Sequence, residues 1–156
     1  MRLPLKPLNI PADWTVKWNH FIDLEPDNKL SRKDVWIYFE EDLAYLFKDD
    51  YFIDLGFYGN YLENRAGFFG LKVISGQAGK GILYEQFISR STDLIKDKIE
   101  RYARWISSGE IANYQGLTFE KQEDLDNLFY SSVDGIHKKL TKEECIHLGA
   151  PKPPNI

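Results

Sequence analysis

The alternation of apolar and polar residues near the start of the chain predicts a strand. In residues 13–24, DWTVKWNHFIDL, the side chains Trp14, Val16 and Trp18 share one parity before the pattern shifts. A change of parity within a strand is typical of a β-bulge, which inserts one extra residue. We therefore expect a strand over 13–24 with a bulge near Asn19.

The clearest helical pattern spans residues 92–108. Ser91 or Thr92 supplies a side-chain oxygen for the N-cap, and Gly109 provides a stop. Apolar residues recur on one face at intervals of three or four, so this face is expected to pack on the core. The predicted apolar stripe is Ile95, Ile99, Tyr102 and Ile106.

Three other segments show weaker helical spacing. A helix over about 32–48 is expected to follow Ser31, with apolar residues such as Leu43 and Leu46 inward. A second is expected over about 119–130. A short last helix is expected to start after Thr141 and to end at the glycine at position 149.

Residues 51–58 and 66–74 flank a loop that contains glycine and asparagine, which favours an antiparallel hairpin. Side chains alternate between the two faces of a strand, so the pairing can be tested by complementarity. When Phe57 is placed opposite Phe69, the residues on that face are all apolar. The further apolar pairs are Leu55 with Leu71 and Ile53 with Val73.

The same register gives the other face of the hairpin a polar pair and a glycine pair. Asp54 lies opposite Lys72, where a cross-strand ion pair contributes roughly 0.2 to 1 kcal/mol. Gly56 lies opposite Gly70 and leaves a trough without side chains. Paired glycines in strands mark a close approach by another backbone or a ligand. A helix of the same chain is the favoured occupant, and a ligand groove is the alternative.

These elements predict one domain over 1–156 of the α+β class, with a small, mainly antiparallel sheet packed by helices. Residues 1–11 and 150–156 are expected to be extended segments at its two ends. The single cysteine, Cys145, cannot form an internal disulfide, which suits a reducing compartment. No apolar run has the length of a membrane span or of a signal-peptide core. We expect a cytoplasmic protein.

The formal net charge of −4 is small, but the charges are unevenly distributed. Residues 40–65 contain seven acidic and two basic residues, and residues 117–137 contain five acidic residues and one basic. Residues 72–104 contain seven basic and four acidic residues. Acidic clusters favour basic partners and fast association that depends on salt, although such clusters are also common on ordinary solvated faces.

The sequence contains no decisive catalytic signature. SGQAGKG at 75–81 lacks the first glycine and the final serine or threonine of a Walker A loop, so it predicts a flexible connection. Cys145 and His147 point in different directions on a helix, and the other histidines lie in unrelated segments. The sequence predicts neither a metal site nor a cofactor. An uncharacterised hydrolase stays open as an alternative, with no defined residue set.

Two stretches, DLAYLFKDDYFIDLGFYGN from residue 42 and AGFFGLKVI from residue 66, resemble immunity proteins of bacterial polymorphic and contact-dependent growth inhibition toxins. The likeness covers roughly residues 13–75, including the early strand with Trp14 and Trp18. It implies a cytoplasmic protein that binds and blocks the toxic C-terminal domain of a cognate effector, often a nuclease. Such proteins do not act by catalysis, so the resemblance implies no catalytic residues.

The residue pattern and the resemblance together predict an immunity protein, and they predict no enzyme activity and no direct contact with nucleic acid or membrane. Its partner is expected to be a basic toxin domain, because a nuclease presents a basic cleft. Tyrosines are expected to anchor the interface, and carboxylates to steer association. The alternative is a small enzyme or ligand-binding domain that uses the glycine trough. The predicted partner-binding residues are Asp49, Asp50, Tyr58, Tyr61 and Glu63.

Overall fold

The computed structural model describes residues 3–26, 38–58, 68–77, 80–120, 130–133 and 136–139, which form an α+β structure that is mostly sheet. The elements are β1 Thr15–Asn19, β2 Ala44–Lys48, β3 Tyr51–Tyr58, β4 Phe68–Gln77, β5 Lys80–Ser89, α1 Thr92–Ser108, a 3-10 turn Glu110–Asn113, β6 Leu117–Phe119, β7 Tyr130–Val133 and β8 Ile136–Lys139. Strands β1 to β6 form one antiparallel sheet in chain order. Strands β7 and β8 pair separately.

Helix α1 begins and ends where the sequence predicts. The Ser91 hydroxyl accepts a hydrogen bond from the Leu94 N–H at 3.2 Å and caps the first turn. Gly109 ends the helix in the left-handed region at φ +82°, which glycine adopts without steric cost. The prediction for 92–108 is therefore confirmed, and its apolar stripe is buried against the sheet: Ile95, Ile99, Tyr102 and Ile106.

Strands β3 and β4 pair in the predicted register, with Phe57 opposite Phe69 and Leu55 opposite Leu71. The side chains on this face are buried in the same core as the apolar stripe of α1. Complete burial of a leucine or phenylalanine contributes about 1.5 to 3 kcal/mol each. A slip of one residue would turn the apolar set to the other face, so core burial maintains the register.

The prediction of a helix through 48 is wrong, because Ala44–Lys48 is strand β2. This strand pairs with β1 on one side and β3 on the other. Leu43 and Leu46 are buried as expected, but Tyr45 and Phe47 project from the opposite face of the strand. Backbone pairing on two sides outweighs the helical spacing of the apolar residues. Residues 32–37 of the predicted helix lie outside the described part of the chain.

The helix predicted over 119–130 is contradicted at both ends. Phe119 belongs to β6, which pairs with β5, and Tyr130 begins β7. The intervening residues 121–129 lie outside the described residues, as do the predicted last helix and the tail over 150–156.

Two further strands differ from the sequence expectation. β1 is shorter than 13–24, and its irregularity falls between Val16 and Trp18, which leaves Lys17 as the extra residue. β5 forms a hairpin with β4 across the segment that resembles a phosphate loop. Gly81 is required there, because a Cβ would lie 1.8 Å from the Ser75 carbonyl oxygen. Because β5 pairs with β4 up to Gln77 and Lys80, the segment at 75–81 belongs to a hairpin.

The segment before β1 is tied to the rest of the fold by polar contacts. The Lys6 ammonium forms ion pairs with Asp23 at 3.0 Å and with Asp93, in the first turn of α1, at 2.5 Å. The indole N–H of Trp14 donates to the Ala103 carbonyl oxygen at 3.1 Å. Within the described part of the chain, no helix has both the length and the apolar composition needed to cross a bilayer.

Candidate partner-binding surface

The partner-binding residues predicted from the sequence are not brought together where they can be located. Asp49 and Asp50 form the exposed turn between β2 and β3, and Tyr58 is the last residue of β3. Tyr58 lies eight residues after Asp50 along extended chain, which corresponds to roughly 26 Å. Tyr61 and Glu63 lie outside the described residues.

Asp49 and Asp50 both interact with neighbouring side chains. The Lys48 ammonium lies 2.9 Å from Asp49 and 3.7 Å from Asp13. The hydrogen bond to Asp49 is the main reason that the pKa of Lys48 is raised. The Asp50 carboxylate accepts a hydrogen bond from the Gln77 amide at 2.8 Å. Both carboxylates are exposed, but part of their charge or hydrogen-bonding capacity is already used within the chain.

A row of five side chains crosses the sheet on the face opposite α1, and we call it the polar row. Its members are Trp18, Tyr45, Asp54, Lys72 and Gln86, and each is the cross-strand partner of the next. Directly paired residues project from the same face, so the row runs perpendicular to β1 through β5. At about 4.8 Å between strands it spans roughly 19 Å. This arrangement places an acid and a lysine at the centre of the sheet.

Aromatic rings border the polar row at the β1 end. The Trp18 and Tyr45 rings stack with centroids 5.1 Å apart, and Phe52 lies 5.8 Å from Tyr45. Phe47 continues the cluster, 6.5 Å from Phe52. All four side chains are half-buried, so each presents part of its ring to solvent. We call these four residues, Trp18, Tyr45, Phe47 and Phe52, the aromatic cluster.

Asp54 is half-buried within the polar row, and its environment disfavours the charged form. Burial raises its pKa from the ordinary 3.8 to about 6, although the Lys72 ammonium opposes the shift and Asp42 adds to it. Burial and the Asp54 charge in turn raise the pKa of the Tyr45 phenol. The predicted register of Asp54 with Lys72 is confirmed, and the Lys72 charge acts on the Asp54 carboxyl across the two strands.

The glycine trough lies beside the polar row, as the register predicts. Gly56 is directly opposite Gly70, and both are buried. Helix α1 packs on the other face of the hairpin, against Leu55 and Leu71, so α1 is not the occupant. Since both glycines are shielded from solvent, the trough is not an open groove for a ligand.

An acidic segment precedes β2 and lies along the end of β3. The Glu40 carbonyl oxygen accepts a hydrogen bond from the Phe57 N–H at 2.8 Å, which places Glu40, Glu41 and Asp42 beside that strand. Their side chains are exposed, and none takes part in the ion pairs between described residues. The proximity of Asp42 to Asp54 connects this segment to the polar row. Unlike Asp49, the acidic segment forms no ion pair with another described residue.

Sequence reasoning missed the aromatic cluster because it placed residues 44–48 in a helix. The available signal was the pair Asp49-Asp50 between two short apolar runs, because aspartate is one of the residues that favour turns. Asp49 adopts a left-handed φ of +52°, a conformation that aspartate tolerates better than most residues. Assigning this turn would have placed Tyr45 and Phe47 together on one face of β2.

Two polar atoms at the ends of the polar row are shielded from solvent and have no hydrogen-bond partner within the described part of the chain. They are the Trp18 indole Nε1 and the Gln86 amide Oε1. A buried polar group without a partner costs about 1 to 3 kcal/mol. Each such atom in a native structure calls for an explanation, such as an ordered water, an ion or a functional contact.

A second buried carboxylate, Glu85, lies beneath α1 on the other face of the sheet. The Tyr102 hydroxyl donates to it at 2.7 Å, and the Lys98 ammonium lies 3.5 Å away. Glu85 is fully buried, so this cluster connects the helix to β5 without opening to solvent. Among the described residues, no group of three or more histidine, cysteine or acidic side chains is arranged to hold a metal ion.

Comparison of the chain with protein-family models, with curated proteins and with solved structures finds no match.

Proposed function

We propose that this chain is an immunity protein that binds the toxic C-terminal domain of a cognate effector and blocks its active site. The observation that supports the proposal is the outer face of the sheet, where the aromatic cluster lies beside Asp54 and the acidic segment Glu40–Asp42. The resemblance of residues 13–75 to immunity proteins points to the same function. The protein would act in the cytoplasm, where the toxin reaches its target.

The chemistry of this face suits a basic protein partner. The rings of the aromatic cluster are half-buried and suit an interface. Tyrosine and tryptophan supply much of the binding energy at protein interfaces, and phenylalanine is enriched there. Exposed carboxylates around them steer a positively charged partner and raise its association rate. A nuclease carries a basic cleft for the phosphate backbone, so an acidic face can occupy that cleft in place of the substrate. Inhibition would be steric and electrostatic, without turnover or a cofactor.

The binding face that we propose differs in emphasis from the sequence prediction. We centre it on Tyr45 and Phe52, which share one face of the sheet, together with the acidic segment, because its Asp42 lies close enough to Asp54 to raise the pKa of that carboxyl. Asp49 and Asp50 lie at the other end of β2 and contribute to steering. Tyr58, Tyr61 and Glu63 stay predicted contacts of the same interface.

Co-expression with the toxic domain encoded by the adjacent upstream reading frame tests the function. We expect the wild-type chain to rescue growth and to form a one-to-one complex in calorimetry. Cell death despite soluble protein would remove that toxin as the partner.

Substitutions test the face. We expect Tyr45→Ala with Phe52→Ala to weaken binding at least a hundredfold, since paired aromatic anchors each contribute about 2 kcal/mol. Leu94→Ala is the matched control, because Leu94 is an exposed apolar residue on α1, away from this face. Equal losses from both variants would show that the interface lies elsewhere.

A further inference from the structure

The aromatic cluster already holds one positive charge. The Lys17 ammonium lies 5.4 Å from the centroid of the Trp18 ring and 5.7 Å from that of Tyr45. Both distances are within the range of about 6 Å over which a ring attracts a cation. Lys17 is the extra residue of the bulge in β1, and it is exposed. The stacked pair is therefore a surface that attracts cations.

Asp54 adds a carboxylate to the same place. It is the cross-strand partner of Tyr45, so its side chain lies next to the stacked rings on the same face. Lys72 flanks it on the other side, but the attraction of Lys72 does not offset burial and the nearby Asp42 carboxylate. An anion that is poorly solvated and incompletely compensated gains stability from an additional cation.

The cation-attracting part of the outer face is limited to the β1 end of the polar row. Gln86, at the other end, is 94% buried and lies two strands from Asp54. The Trp18 Nε1 is a donor and a guanidinium has only donors, so the ring faces of the stacked pair, and not the indole N–H, are what attract a cation here.

We propose that Trp18, Tyr45 and Asp54 form a binding site for an arginine side chain of the partner protein. A guanidinium is planar, so it can stack on the rings while its N–H groups donate to the carboxylate. An ammonium matches the charge but not the flat shape. Lys17 occupies the entrance in the free protein and moves aside on binding. The inference rests on the proposed function, since it names the side chain of the partner protein that binds to the outer face.

A small probe tests the site without the partner. N-acetylarginine amide is titrated into the full chain at neutral pH, and the indole N–H of Trp18 is followed by NMR, with its signal assigned by its loss in Trp18→Phe. N-acetylcitrulline amide, which is neutral and nearly the same shape, is the control at equal ionic strength. We expect a saturable shift with the arginine compound and none with the citrulline compound. Equal shifts from both would overturn the proposal.

Charge variants test the roles of Asp54 and Lys17. We expect Asp54→Asn to weaken probe binding at least tenfold, whereas Asp97→Asn on the exposed face of α1 leaves it unchanged. Lys17→Gln is expected to tighten binding two- to fivefold, because it removes the competing cation. Lys80→Gln, at the β4–β5 hairpin, is the control for net charge. Unchanged binding in Asp54→Asn, or equal gains from both lysine variants, would contradict the site.

The outcomes separate this inference from the proposed function. If the probe binds but no effector domain is neutralised, the arginine site stands and the immunity function fails. If the wild-type chain neutralises the effector domain and Asp54→Asn does so with equal affinity, the immunity function stands and the arginine site is overturned.

Discussion

The two faces of the six-stranded sheet differ in how completely the chain satisfies them. The face under α1 is apolar around Leu55 and Leu71, and its buried carboxylate, Glu85, has both a hydroxyl donor and an ammonium nearby. The outer face has Asp54 with a raised pKa and two shielded polar atoms that have no partner among the residues that the structure describes. The first face stabilises the fold. The second retains groups that favour an interaction with another molecule.

The largest loss of stability is expected from a substitution that creates a cavity under α1. Leu71 is fully buried, and Leu71→Ala is expected to lower the free energy of unfolding by about 3 to 4 kcal/mol. Urea titration measures the loss. The affinity of the remaining folded protein for its partner should be unchanged, because Leu71 does not reach the outer face. A loss of affinity at constant folded fraction would show that the face under α1 also contributes to partner binding.

Substitution of Asp54 is expected to raise the free energy of unfolding instead of lowering it. In the folded protein this carboxyl has a pKa of about 6, above its ordinary 3.8. Between these two values the folded state binds a proton that the unfolded state does not, so the contribution of Asp54 to stability rises as the pH falls from about 6 to 3.8. Above pH 6 the charged carboxylate costs on the order of 2 to 3 kcal/mol.

Asp54→Asn removes this cost. At pH 7 the variant should be more stable than the wild-type chain, and the difference should shrink as the pH falls toward 4. Thermal unfolding at a series of pH values measures the difference, and the other carboxylates cancel because both proteins contain them. A difference that stays constant with pH would mean that Asp54 is well solvated.

A smaller loss is expected at the buried hydrogen bond under α1. Tyr102→Phe removes the hydroxyl that donates to Glu85 at 2.7 Å, and it should cost about 1 to 2 kcal/mol. Tyr114→Phe, on a half-buried residue that stacks on Trp105, is the control. Equal small losses in both variants would show that the Glu85 cluster contributes little.

The smallest effect on stability should come from the acidic segment. Glu40→Lys with Glu41→Lys is expected to change the free energy of unfolding by less than about 0.5 kcal/mol, since both residues are exposed. The association rate with a basic partner should fall at least tenfold at low salt, and the difference should narrow as salt is added. Stopped-flow measurements test this. The same charge reversal at Asp49 and Asp50 should slow association less, because Asp49 forms an ion pair with Lys48 and Asp50 accepts a hydrogen bond from Gln77.

The parts of the fold that were predicted from the sequence are determined by residues that lie close together in the chain. Helix α1 has its cap at Ser91 and its stop at Gly109, adjacent to the helix itself. The hairpin register follows from complementary pairs such as Asp54 with Lys72. Strand β2 was missed because its short apolar run satisfies helical spacing as well, and its two neighbours in the sheet are what stabilise it.

The candidate site was predicted only in its central pair. Asp54 and Lys72 come from one hairpin, so pairing rules alone place them together. Trp18, Tyr45 and Gln86 come from three other strands, and their alignment with that pair needs the order of the whole sheet. The sequence by itself determined α1, the β3–β4 register and the acidic composition. The tertiary structure decided which face carries the aromatic cluster, because the face that each strand presents depends on the strands paired with it.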